Sequence, residues 1–161
     1  MNIICAGCTP DEKPKQDEKP SKEVKAPQLK GKLVYHNYTS YTSDDSKMYL
    51  FDFASHSEQW NIRNPMNAHF SPDGKKITFM GIGNDTNTWD IFLFDLTTSA
   101  PPVNLTPNGG TRDEDPKFSP DGKRIAFKQD FRIAEMNLAT GKVTKLSPAD
   151  YSMPYYNNAG T

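Results

Sequence analysis

His69-Phe70-Ser71-Pro72-Asp73-Gly74-Lys75-Lys76-Ile77-Thr78-Phe79 returns 48 positions later as Lys117-Phe118-Ser119-Pro120-Asp121-Gly122-Lys123-Arg124-Ile125-Ala126-Phe127. In each copy an apolar strand runs into a reversal, Ser71-Pro72-Asp73-Gly74 or Ser119-Pro120-Asp121-Gly122. Proline presets φ there, aspartate can bond its own backbone, and glycine accepts a positive φ, so these eight residues are read as structural turn formers and not as a paired acidic site. The strand that follows is expected to alternate outward Lys or Thr with inward Ile and Phe.

The same phase continues on both sides. Pro154-Tyr155-Tyr156-Asn157-Asn158-Ala159-Gly160-Thr161 begins a degenerate copy 38 positions after the second, and Gly31-Lys32-Leu33-Val34-Tyr35 matches the back half of the motif 43 positions before Gly74. A third strand is predicted in each unit, over Met48–Phe53, Trp89–Leu96 and Arg132–Leu138, and a shorter fourth over Gln59–Ile62, Val103–Thr106 and Val143–Ser147. Four antiparallel strands in each repeat of roughly 40 to 50 residues make a propeller blade. The fold class expected is therefore all-β, a partial β-propeller of about three four-stranded antiparallel blades preceded by a disordered N-terminal tether. Trp60, Trp89, Phe92, Phe94, Phe127 and Tyr156 are read as packing between blades.

The pattern Phe-Ser-Pro-Asp-Gly-Lys-x-Ile-x-Phe, then Ile91-Phe92-Leu93-Phe94-Asp95-Leu96, then Val-x-x-Leu followed by Thr or Ser, resembles the WD40-like repeats of the TolB propeller family, also seen in propellers of prolyl oligopeptidase relatives. The resemblance covers about residues 31–161. It implies a scaffold on which many activities sit, so function has to be argued from a site. Family propellers close with six or seven blades. About three are visible, so a gene fragment is expected, with pairing of two copies into a closed ring as the alternative.

Lys and Arg total 19 and Asp and Glu 20, a net charge of −1 with the two signs interspersed, which removes the basic stripe a nucleic-acid binder needs. Residues 9–30 alternate lysine, acid and proline with almost nothing apolar to bury, and are expected to be a disordered linker. Residues 1–8 end in Ile4-Cys5-Ala6-Gly7-Cys8. A redox pair would need a βαβ context, and a zinc half-site a second ligand pair, whereas His36, His56 and His69 lie in separate elements. The stretch resembles the end of a bacterial lipoprotein signal in which Cys8 becomes lipidated. It departs from that pattern at Cys5, where Leu is usual, and in having only Met1-Asn2-Ile3-Ile4 upstream.

Arg112-Asp113-Glu114-Asp115-Pro116 is the densest charge cluster of the folded part and precedes an innermost strand, a position that faces the mouth of a propeller's central channel. With Arg63, Asn64 and Asn67 it is read as a partner-binding rim. Acidic residues at this point of the repeat also satisfy turn backbone, and neither a metal nor a cofactor is expected. The resemblance implies a non-catalytic scaffold of a cell-envelope lipoprotein that binds a protein or cell-wall partner and touches the membrane only through its lipid. The alternative is the propeller of an enzyme, oligogalacturonide-lyase-like or prolyl-oligopeptidase-like, with its catalytic residues elsewhere; no Gly-x-Ser-x-Gly elbow occurs in the chain.

Overall fold

The computed structural model describes residues 31–40, 45–52, 57–59, 62–85 and 87–157, the third of these as backbone only. The signal remnant 1–8, the linker 9–30, Phe53, Trp60 and Asn61 lie outside the described residues. Eleven strands are assigned among them: β1 (Lys32–Asn37), β2 (Lys47–Asp52), β3 (Ser57–Gln59), β4 (Arg63–Phe70), β5 (Lys76–Ile82), β6 (Trp89–Asp95), β7 (Val103–Asn104), β8 (Asp113–Phe118), β9 (Arg124–Gln129), β10 (Arg132–Asn137) and β11 (Val143–Lys145). They form three antiparallel sheets, ordered β1-β2-β3, β4-β5-β6-β7 and β8-β9-β10-β11, each joining consecutive strands. No helix occurs among the described residues. This is the expected all-β architecture of propeller blades.

The repeated turn closes identically in both full blades. Ser71 Oγ donates to Asp73 Oδ1 (2.6 Å) and accepts the Lys76 N–H (2.9 Å), while Asp73 Oδ1 also accepts the Lys75 N–H (3.1 Å). Ser119, Asp121, Lys123 and Arg124 repeat each bond. Gly74 and Gly122 stand at φ 68° and 69°, a region where other L residues are strained. The serine hydroxyl holds both Asp73 and Asp121 below the ordinary carboxylate range, helped by the turn N–H groups.

The expected alternation along β5 is corrected. Ile77 and Phe79 face one blade, but Thr78 and Met80 are also buried. A middle blade is packed on both faces, so β5 has no solvent side, and the Thr78 hydroxyl is accommodated by donating to the Phe92 carbonyl (3.1 Å). One core lies between the first two blades, where Met48 and Leu50 meet Ile77, Phe79, Phe92 and Phe94, with Phe79 and Phe92 stacked at 5.5 Å. The other, between the second and third blades, joins Met66, Met80 and Ile91 to Phe118, Ile125, Phe127, Ala134 and Met136. Each fully buried apolar side chain contributes about 1.5–3 kcal/mol, so these two interfaces hold the blades together.

The fourth strands are shorter than expected for a specific reason. Regular pairing stops at Asn104, yet the Leu105 N–H still donates to the Ile91 carbonyl (2.7 Å), and the Thr106 hydroxyl accepts the Ile91 N–H (3.0 Å). Leu146 and Ser147 do the same for Ile133. The Leu-Thr and Leu-Ser ends of the repeat thus substitute a side-chain oxygen for the next backbone carbonyl of the ladder. Within the first sheet the outer strand includes Ser57–Gln59, and Trp60 and Asn61 of the expected Gln59–Ile62 lie outside the described residues.

Candidate functional site

A register shift in each inner strand shapes the site. The β4–β5 pairing slips on both sides of Met66, and the β8–β9 pairing slips between Glu114 and Lys117. Asn67 and Asp115, equivalent in the repeat, both adopt left-handed backbone, at φ 52° and 56°, and Met153 at the third copy does so at 53°. Short polar side chains tolerate that conformation best, which accounts for Asn and Asp at the two regular copies. The bulges bring neighbouring blades into direct contact: Asn67 Nδ2 donates to Asp115 Oδ1 at 2.6 Å.

Glu114 lies beside this pair, buried, with one oxygen on Arg112 Nη2 (2.7 Å) and the other on Lys128 Nζ (2.7 Å). Burial alone would raise its pKa; the hydrogen bonds and charges of Arg112 and Lys128 win and hold the carboxyl below its usual range. Arg112 in turn sits 5.9 Å over the Trp89 ring. Around this frame is a cavity of about 360 Å³, whose lining includes Met66, Met80, Trp89, Ser152 and Met153 together with the charged groups. Its walls combine fixed charge with thioether and indole surface, suited to recognising a partly polar ligand.

The structure brings together Asn67, Arg112, Glu114 and Asp115 of the expected rim and separates three others. Arg63 is exposed and donates to Asn87 Oδ1 (3.0 Å), away from the cavity lining. Asn64 is buried, its Oδ1 accepting the Ser46 N–H (3.0 Å), so it ties the chain before β2 to the second blade. Asp113 is 1% exposed, with no hydrogen-bond partner at Oδ1 among the described residues and the Thr111 hydroxyl on Oδ2 (3.3 Å). Burial pushes its pKa up to about 6 against the polar groups of Thr106, Gln129 and Thr111, and the Asp90 carboxylate adds to the rise. These last two side chains present nothing to a partner. Lys128 and Met80 were not legible as site residues, because strand patterning marks them only as surface or core. Among the described residues no group of three or more His, Cys, Asp or Glu is placed to hold a metal ion.

No family model matches the sequence. Dipeptidyl-peptidase 5 of Porphyromonas gingivalis is 36% identical over 101 residues, which cover 52% of this chain and 14% of that protein. The structure of a putative TolB from Agrobacterium tumefaciens superposes with a TM-score of 0.61 at 22% identity, over 76% of this chain and 44% of that one. TolB from Acinetobacter baumannii gives 0.60 at 23% identity, over 80% and 33%. The chain spans less than half the length of each. The fold is that of a TolB-like β-propeller.

Proposed function

We propose that this chain is a non-catalytic recognition scaffold, the propeller of a cell-envelope lipoprotein that binds a protein or cell-wall partner at the channel mouth. The observation that carries the reading is the cavity beside the Asn67–Asp115 bridge, where Glu114 is neutralised by two cations and Arg112 remains 59% exposed on its side chain over Trp89. A charged group prearranged in this way recognises a complementary group at low ordering cost. Lipidation at Cys8 and an envelope location belong to the same proposal; the Ala6-Gly7-Cys8 sequence and the charged spacer after it support them.

The test is site-specific photo-crosslinking from position 112 in a bacterial host that carries the protein behind a complete signal sequence. A discrete adduct that disappears on Glu114→Lys supports the scaffold reading, and adducts indifferent to that change overturn it. The likeness to a dipeptidyl-peptidase favours a second reading, in which these blades belong to a peptidase whose catalytic domain lies in a longer chain. Blades that shape access to such a domain would alter the turnover of aminoacyl substrates when position 112 is changed, without forming a partner adduct.

A further inference from the structure

The opposite ends of the two inner strands carry a second, unassigned cleft of about 230 Å³. His69, Lys117 and Tyr155 line it and occupy one and the same repeat position, each following Ala68, Pro116 or Pro154, so three successive copies of the repeat present this position to a common space. Pro72, Pro120 and Phe118 supply apolar walls, and none of the lining residues is acidic.

Lys117 is only 9% exposed, and its ammonium lies 5.1 Å from the centre of the Tyr155 ring with no ion pair or hydrogen bond among the described residues. Asp115, the carboxylate that acts on it electrostatically, already accepts the Asn67 amide. Burial lowers the Lys117 pKa in spite of Asp115. His69 supplies the second donor: its Nδ1 accepts the Phe118 N–H (3.2 Å), which places the proton of the neutral ring on Nε2. Burial, then Lys117, lowers the His69 pKa, so the ring is neutral near pH 7.

We infer that this cleft binds the terminal carboxylate of a peptide chain, Lys117 supplying the charge, His69 Nε2–H a further donor, and the Tyr155 and proline rings the contact for the last side chain. An ammonium on a side chain nine-tenths buried, opening on the cleft with no anion beside it among the described residues, is placed to receive a carboxylate in a charge-assisted hydrogen bond. Its volume is below the roughly 300–1,000 Å³ of sites for whole drug-sized ligands, which suits a chain end. The inference stands whether or not the channel-mouth cavity is a partner site.

Acetyl-Ala-Phe as the free acid, its C-terminal amide, and acetate serve as probes, with binding to the full chain followed by NMR of reductively ¹³C-methylated lysines. The free acid should bind, moving the Lys117 resonance and shifting its titration upward, and the amide should bind at least tenfold more weakly. Lys117→Met should abolish acid binding, and Lys117→Arg should restore part of it. Equal affinity for acid and amide, or no binding of the acid, overturns the inference. Acetate as effective as the dipeptide at equal concentration overturns the peptide as the source of the carboxylate. The acid–amide comparison uses the unmodified sequence and so holds even if Lys117→Met fails to fold.

Discussion

Asp113→Asn should change the shape of the pH–stability curve as well as its height. Asp113 is 1% exposed and its carboxyl is raised from 3.8 to about 6, by burial first and by Asp90 in addition. With the folded pKa above the unfolded one, the native state holds the proton more tightly between these values. The contribution to stability is therefore fully present below about pH 4 and is lost as the pH rises through about 6. A gap of about two units, at about 1.36 kcal/mol each, amounts to about 3 kcal/mol. His36 and His69, whose pKa values burial lowers, act oppositely in part of this window, since they disfavour the native state as the pH falls through the unfolded histidine range. Both remain in the variant and cancel in the difference. Urea unfolding followed by tryptophan fluorescence at about pH 4 and about pH 8 should then show the variant gaining about 3 kcal/mol relative to the unmodified protein between the two, whatever the fixed cost of the amide. A difference between the two proteins that stays flat within about 0.5 kcal/mol would refute the reading that burial raises the Asp113 carboxyl in the folded state.

Gly81→Ala should destabilise by about 1–3 kcal/mol in the same assay, because a Cβ there would meet Ile62 Cγ2 at 2.7 Å and the Arg63 carbonyl oxygen at 3.2 Å, forcing β4 away from β5. Gly74→Val and Gly122→Val should each cost about 1 kcal/mol or more for a different reason: space is open at Gly74 and ordinary at Gly122, but φ is 68° and 69°, so unchanged melting temperatures would contradict the turn geometry. Behind a complete signal sequence, the protein should fractionate with membranes and incorporate acyl label, and Cys8→Ser should release it to the soluble fraction, since each acyl methylene contributes about 0.8 kcal/mol of anchoring. A soluble, unlabelled unmodified protein would refute the lipid anchor and leave the fold untouched.

The blades themselves were legible in the chain because their information is local and repeated. A Ser-Pro-Asp-Gly reversal is determined by φ preferences and by hydrogen bonds spanning five residues, so the two copies declared both the turn and its period, and the bonds of Ser71 and Ser119 reproduce it. The Leu-Thr and Leu-Ser ends were equally visible as a pattern, though their role as ladder acceptors for Ile91 and Ile133 needed the neighbouring strand. What strand periodicity could not reveal was the number of faces buried. Thr78 reads as a solvent residue in any two-faced strand, and only the stacking of a third blade onto the second encloses it. The site behaves likewise. Asn64, Asp113 and Asp115 are alike in the sequence as short polar residues ahead of the Phe-Ser-Pro-Asp-Gly motif, yet the structure takes all three into the inner strands, sends Asp115 to Asn67 of the preceding blade, puts Asn64 on Ser46, and buries Asp113 among core side chains. Contacts between residues 48 apart depend on how one blade is rotated against another, and that rotation is set by the packing of Met66, Met80 and Ile91 on Phe118 and Phe127 and by no stretch of sequence taken alone.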